Sequence, residues 1–185
     1  WDEILQGGLA PGAVVMSWRG TEGGIEAMKE GHDVIMTPGR YCYLDHAQDA
    51  PFREPESIGG YLPLDSVYVY EPVEARMPQD RIHHILGLQA NLWSEYIPDD
   101  AHAEYMYWPR AFAIAETAWS APERKNLQDF RRRALNMLEL MKRRGYNVFD
   151  LSNEYGERKL AQTGLEHKAK GKPVKYLKPV QQWYP

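Results

Sequence analysis

The residues with the clearest chemical potential are two tryptophans, a tyrosine and two carboxylates that follow short apolar runs. Trp18 closes the first run, Tyr43 and Asp45 follow the second, and Trp93 and Glu95 close the third. Indole rings offer flat apolar surfaces, carboxylates accept charge-assisted hydrogen bonds, and a tyrosine hydroxyl can donate one. A few polar groups on apolar walls are the usual composition of a small-ligand site. This combination suits a pyranose, with rings against its apolar faces and carboxylates on its hydroxyl groups.

The elements that must position these side chains are predicted as parallel strands over residues 13–18, 33–37 and 85–93. The first two runs are rich in Val, Ile and Met without strict alternation, as expected where helices cover the sheet. Residues 21–31 are predicted as a crossover helix, which makes a βαβ unit. Because the carboxyl ends of parallel strands share one edge, the side chains there should meet in one cleft. Trp1 is interpreted as the end of an earlier strand that reaches the same cleft.

The rest of the chain is predicted to be mostly helical. A short helix or turn is expected within residues 58–70, and a long helix over 103–119, with a start or kink at Pro109. The sequence Ser-Ala-Pro-Glu at 120–123 fits a capping box that opens a last helix over 126–144.

Composition excludes several classes of function. The 185 residues carry a net charge of −4, which gives no nucleic-acid footprint, and 12% of them are aromatic. Cys42 is the single cysteine, so an internal disulfide is excluded, and a packing role is expected for it. No apolar run is long enough to cross a bilayer, and no metal or nucleotide motif occurs. His83 and His84 are adjacent, and on a strand they would point to opposite faces. The chain begins at Trp1 without a Met, and we interpret it as a piece of a longer protein.

The order of the motifs carries a family resemblance. They are W-x-E-I-L, A-P-G-A-V-V-M-S-W, Y-L-D, L-W-S-E-Y and W-P-R-A-F-A-I-A-E-T-A-W-S. In this order they resemble the second half of the catalytic barrel of glycoside hydrolase family 20 β-N-acetylhexosaminidases. The resemblance implies an α/β fold, a partial TIM (β/α)₈ barrel running from about the end of strand 5 through strand 8 with C-terminal helices. Residues 1–150 would form this half-barrel, and residues 151–185 a C-terminal tail.

The resemblance also implies an activity. The parent protein would be a retaining exo-β-N-acetylhexosaminidase that removes terminal β-linked GlcNAc or GalNAc by substrate-assisted catalysis. Tyr43 would hydrogen-bond the acetamido oxygen that attacks the anomeric carbon, and Asp45 and Glu95 would hold the 4- and 6-hydroxyl groups. The aromatic walls around the N-acetyl group would be Trp1, Trp18 and Trp93.

The catalytic Asp-Glu pair of the family is missing from this sequence, as is the arginine of its first strand. Asp2 and Glu3 follow Trp1 in the pattern of the next strand, so we do not expect them to be the pair. The chain alone is therefore predicted to be inactive, although the parent should be an enzyme. Composition, charge and the missing motifs lead us to expect no cofactor, no metal, and neither nucleic acid nor membrane as a partner. The expected partner is a terminal N-acetylhexosamine, and self-association through open barrel edges is also expected. A periplasmic, secreted or lysosomal-type compartment is favoured over the cytoplasm.

Two other functions fit the same residues. One is a non-catalytic carbohydrate-binding module, and the other is a different barrel glycosidase in which Asp45 and Glu95 are the catalytic carboxylates. Each site residue also has an ordinary structural role open to it, because Trp and Tyr usually pack in cores and Asp often caps helices. The natural glycan and the preference between GlcNAc and GalNAc are not decided by these residues.

Overall fold

A computed structural model describes residue 5 and residues 7–50 and 52–156 of the chain. The strands are β1 (Val14–Ser17), β2 (Asp33–Met36) and β3 (Ile85–Leu88). The helices are α1 (Glu22–Lys29), α2 (Gly39–Cys42), α3 (Leu64–Val69), α4 (Asp100–Tyr107), α5 (Arg110–Trp119) and α6 (Leu127–Arg143). Short 3₁₀ turns lie at Ile82–His84, Pro122–Arg124 and Leu151–Asn153.

The three strands form one parallel sheet in the order β1-β2-β3. The predicted βαβ unit is confirmed, with α1 as the crossover between β1 and β2. The third strand is shorter than predicted, because it ends at Leu88 rather than at residue 93. Beyond Leu88 the chain turns to pair with the segment that follows β2. There Asn91 makes an isolated parallel bridge with Tyr43. Trp93 therefore lies in a loop beyond the sheet.

Helix α1 covers one side of the sheet at close range. A Cβ atom on Gly24 would lie 3.0 Å from Met36 Sδ and 3.1 Å from Val34 Cγ1, so only glycine allows this approach without displacement. The buried core of this unit consists of Val15, Ile25, Ala27, Met28, Val34, Met36 and Met77.

A second core lies between α3, α5 and α6, where the Tyr68 and Phe130 rings stack with centroids 4.3 Å apart. The helical stretch predicted over 103–119 is two helices rather than one, and the predicted helix start at Pro109 is confirmed, because this residue has no N–H to continue α4. The first of them, α4, begins earlier than predicted, and Asp99 caps it by accepting a hydrogen bond from the His102 N–H. The short helix expected within 58–70 is confirmed as α3.

The predicted capping box at 120–123 is also wrong. Residues 122–124 form a single 3₁₀ turn that ends at Lys125 in extended conformation. Helix α6 instead begins after Asn126, whose side-chain oxygen accepts a hydrogen bond of 2.9 Å from the Asp129 N–H. The span of this last helix agrees with the prediction to within a residue at each end.

The outer strands of the sheet are β1 and β3 in the part of the chain that the structure describes. Val14 on β1 is 47% exposed and Leu86 on β3 is 59% exposed.

The C-terminal end of the described chain is held in place by Asp49, whose carboxylate accepts hydrogen bonds from the Tyr155 and Gly156 N–H groups. The rest of the predicted tail lies outside the described residues. Within those that are described, no helix is long and apolar enough to span a membrane.

Candidate functional site

An open cleft of about 600 Å³ lies at the carboxyl-terminal edge of the sheet. Five of the six predicted site residues line it, namely Trp18, Tyr43, Asp45, Trp93 and Glu95. The other lining residues are Arg19, Gly39, Arg40, His46 and Ile58. The sixth predicted residue, Trp1, lies outside the described part of the chain.

Three aromatic rings form one wall of this cleft. The Tyr43 ring lies 6.3 Å from the Trp18 ring and 6.5 Å from the Trp93 ring, measured between centroids. The planes of Tyr43 and Trp18 differ by 25°, and those of Tyr43 and Trp93 by 49°. Tyr43 thus stands between the two indoles, with its hydroxyl-bearing ring close to both apolar surfaces.

The turn after β1 is fixed by the hydroxyl of Ser17, which is fully buried. It donates to the Gly20 carbonyl at 2.7 Å and accepts from the Gly24 N–H at 2.9 Å. The Gly39 N–H then donates to the Trp18 carbonyl at 2.7 Å, which ties the turn after β1 to the start of α2. These contacts place Trp18 beside the segment that carries Tyr43.

Asn91 joins the loop after β3 to the same edge. Its N–H donates to the Cys42 carbonyl at 2.8 Å, and its own carbonyl accepts from the Leu44 N–H at 2.7 Å. Its side-chain amide donates to the Thr37 hydroxyl at 2.5 Å. Asn91 thereby sets the path of the chain that leads to Trp93 and Glu95. Asn91 is not among the site residues predicted from the sequence.

Asp45 is the buried carboxylate of the cleft, with only 5% of its surface exposed. Its Oδ1 atom has no hydrogen-bond partner among the residues that the structure describes. Burial, and then the nearby Glu95 charge, raise the pKa of Asp45 to about 6, against the lowering effects of its own backbone N–H and of Arg110. At neutral pH this side chain is a buried carboxylate with unused capacity to accept hydrogen bonds.

His46 and Cys42 flank this region as neutral groups. Burial, and then the positive charge of Arg110, lower the pKa of His46, so its imidazole is uncharged at neutral pH. The Cys42 side chain is fully buried, and burial raises its pKa to about 12, so the thiol stays protonated and packs.

Arg110 is the first residue of α5, and it is completely buried. Its guanidinium donates hydrogen bonds to four backbone carbonyls, those of Leu44, His46, Leu62 and Met106. Arg110 belongs to the W-P-R-A-F motif but is not among the site residues predicted from the sequence. A charged residue at the start of the apolar run Ala-Phe-Ala-Ile-Ala was the signal that could have identified it.

The adjacent histidines His83 and His84 do not line the cleft. His83 and His84 sit in a 3₁₀ turn rather than on a strand, with ring centroids 4.2 Å apart, and His84 Nδ1 lies 2.9 Å from an Asp33 carboxylate oxygen. Across the described ranges, no group of three or more His, Cys, Asp or Glu side chains could hold a metal ion. A second groove of about 650 Å³ lies between α5 and α6 and is mainly apolar, and none of the predicted site residues lines it.

Comparison with known proteins decides the family. The model of the glycosyl hydrolase family 20 catalytic domain matches residues 1–122. The chain belongs to this family. A β-hexosaminidase of Porphyromonas gingivalis is 49% identical to it over 148 residues, which cover 80% of this chain and 19% of that relative. This family 20 chain thus spans about a fifth of the length of that curated relative.

Solved structures of family 20 members share the fold of this chain. The exo-β-N-acetylglucosaminidase of Vibrio harveyi in complex with N-acetylglucosamine is 33% identical, with a TM-score of 0.65 over 73% of this chain and 21% of that one. The N-acetyl-β-hexosaminidase of Streptomyces plicatus is 22% identical, with a TM-score of 0.73 over 85% of this chain and 33% of that one. The second likeness bears on the fold alone.

Proposed function

We propose that this family 20 chain is the sugar-binding half of an exo-β-N-acetylhexosaminidase that releases terminal β-linked GlcNAc or GalNAc. In this proposal it is a partial (β/α)₈ barrel, from about the end of strand 5 through strand 8 with C-terminal helices. The observation that carries the proposal is the convergence of Trp18, Tyr43 and Trp93 with two carboxylates in one cleft. The N-acetylglucosamine bound by the Vibrio harveyi relative supports the choice of sugar.

The proposed chemistry uses the substrate's own acetamido group. Its carbonyl oxygen attacks the anomeric carbon while the bond to the leaving oxygen breaks, and an acid in the rest of the protein protonates that oxygen. Water then opens the cyclic oxazolinium intermediate from the opposite face, so two inversions leave the product with the original configuration. Tyr43 would donate a hydrogen bond to the attacking oxygen, and the indoles of Trp18 and Trp93 would hold the acetamido group in reach of the anomeric carbon.

The carboxylates would bind the other end of the sugar. Asp45 is a carboxylate at neutral pH, and its unpartnered Oδ1 can accept a hydroxyl hydrogen. Glu95, in the chain after β3, also lines the cleft and would accept a second hydroxyl. These are charge-assisted hydrogen bonds, which are about twice as strong as neutral ones. Their loss should weaken substrate binding more than it slows the chemical step.

The isolated chain would not hydrolyse glycosides in this proposal, because the acidic pair comes from the missing half. The exposed outer strands β1 and β3 support the further proposal that the isolated chain associates with itself.

The test uses the full-length parent protein and a chromogenic β-N-acetylglucosaminide. Tyr43→Phe should lower kcat by about 100-fold, because one donor to developing charge is worth roughly that much. The matched control is Tyr146→Phe, at a tyrosine that is 45% exposed and does not line the cleft. Wild-type kinetics in Tyr43→Phe would contradict the proposed role.

Asp45→Asn separates the proposal from its rivals. We expect KM to rise about 10-fold or more while kcat changes little, because lost charge-assisted hydrogen bonds weaken binding. Complete loss of turnover with KM unchanged would instead favour a glycosidase that uses Asp45 and Glu95 as its catalytic pair. Binding of N-acetylglucosamine by the full-length protein without any hydrolysis would favour a carbohydrate-binding module.

A further inference from the structure

Arg110 combines complete burial with hydrogen bonds to the backbone on both sides of Asp45. Its guanidinium donates to the Leu44 carbonyl at 2.5 Å and to the His46 carbonyl at 2.8 Å. We propose that Arg110 is a positioning residue, which fixes residues 44–46 so that the Asp45 carboxylate is presented to the bound sugar. This inference rests on the proposed function, because it concerns the same cleft.

The segment around Asp45 needs these hydrogen bonds from Arg110 because it lies outside the sheet. Among the described residues, the isolated bridge between Tyr43 and Asn91 connects it to the chain that leaves β3, and the last hydrogen bond of that bridge, from the Leu44 N–H, lies one residue before Asp45. The carbonyls of Leu44 and His46 would otherwise be buried without a donor, which is costly. A planar guanidinium with five N–H donors can satisfy several carbonyls in one plane.

Arg110 also connects this segment to two other parts of the protein. It donates to the Leu62 carbonyl at 3.0 Å and to the Met106 carbonyl at 2.8 Å. The Leu62 N–H in turn donates to the Ala47 carbonyl at 2.8 Å. Leu62 is therefore joined to the Asp45 segment both directly, through Ala47, and through Arg110. One side chain therefore ties the Asp45 segment to helix α4, through Met106, and to the chain that enters α3, through Leu62.

The charges around Arg110 indicate that this residue does more than fill space in the core. It forms no direct ion pair with a carboxylate among the described residues, and all four of its partners are neutral carbonyls. Glu54, Asp45 and Tyr105 act on it only through space, and burial lowers the pKa of the guanidinium. A buried cation with carbonyl partners alone is expensive, so retaining it is best explained by the geometry it imposes.

The experiment is a double-mutant cycle in the full-length parent protein, between Arg110→Lys and Asp45→Asn, with the same chromogenic substrate. Lysine keeps the charge, but its ammonium group has three N–H donors and cannot bond four carbonyls. Arg110→Lys alone should raise KM by about 10-fold with a smaller change in kcat, because a displacement of the carboxylate by about 1 Å is enough. In the Asp45→Asn background the same change should add less than about twofold, since residues that act as a unit are not additive. Arg132→Lys, at an exposed arginine of α6, is the matched control and should leave KM unchanged.

Arg110→Gln distinguishes positioning from mere core packing. If Arg110 positions the segment, Gln should raise KM more than Lys does, so that the conservative variant partly rescues binding. Equal effects of Arg110→Lys in the presence and absence of the Asp45 carboxylate would overturn the inference. Loss of folding in both Arg110 variants would also overturn it, because the guanidinium would then be required by the core alone. A wild-type protein that neither binds nor cleaves the substrate would instead count against the proposed function.

Discussion

Replacing Asp45 by Asn should stabilise the protein at neutral pH while it weakens sugar binding. Burial raises the pKa of Asp45 from its usual 3.8 to about 6, so the folded protein holds this proton more tightly than the unfolded chain. At about 1.4 kcal/mol per pKa unit, the ionised side chain costs about 3 kcal/mol of stability above pH 6. Asn is similar in shape and carries no charge, but its buried N–H groups cost part of that gain. We expect a net stabilisation of about 1–2 kcal/mol at pH 7.

The pH dependence of the unfolding free energy separates the effect of the Asp45 charge from the effect of its side-chain shape. A group whose folded pKa is raised contributes stability at low pH, where it is protonated, and loses it as pH rises through the folded value. Relative to Asp45→Asn, the wild type should therefore lose about 2 kcal/mol of unfolding free energy between about pH 4 and pH 7. The assay is urea unfolding of the full-length protein and its variant, followed by tryptophan fluorescence at several pH values.

Asp80→Asn is the matched control, since this carboxylate is 79% exposed and should show no such trend. A difference between wild type and Asp45→Asn that stays constant from pH 4 to pH 7 would refute the reasoning. So would a wild type that gains stability relative to the variant as pH rises, because the carboxylate would then be stabilised by partners rather than strained by burial.

Two further predictions concern the frame around the cleft. Gly60→Ala should destabilise the protein by about 2 kcal/mol or more, because φ is +73° and the new Cβ would lie 2.9 Å from the His46 ring. Gly12→Ala, with φ of +76° and open space around it, is the control in urea unfolding, and an equal loss in both would exclude the ring contact as the cause. Asn126→Ala should cost about 1 kcal/mol through loss of the α6 cap, as measured by thermal unfolding, whereas exposed Asn136→Ala within the same helix should cost less than half of that. Similar losses for the two Asn variants would contradict the assigned cap.

The sequence predicted the parts of the fold that depend on local pattern. Apolar runs rich in Val, Ile and Met predicted β1 and β2, and the apolar spacing within 126–144 predicted α6. The cleft followed from one general property of parallel sheets, namely that carboxyl ends of strands share an edge. Five site residues could be assigned to the cleft because each follows a strand in the chain.

The features that sequence analysis missed depend on competition between local signals or on contacts distant in the chain. Ser120 and Asn126 are both good helix caps, and Glu123 completes a capping-box pattern with Ser120, but residues 122–124 form a 3₁₀ turn that α6 does not continue. The role of Arg110 depends on which carbonyls the sheet leaves unpaired, which no spacing in the sequence reveals. Asn91 likewise pairs with a segment almost fifty residues earlier, where no periodic pattern indicates a strand.

The outer strands of the three-stranded sheet set a practical condition on every measurement of this chain in isolation. Backbone N–H and C=O groups on the far sides of β1 and β3 meet no other strand among the described residues, and edges of this kind are templates for pairing with another molecule. We expect sedimentation and light scattering of the isolated chain to change with its concentration. Rates and affinities measured on it would then report assembly as much as sugar recognition, whereas a closed ring of strands would remove that contribution.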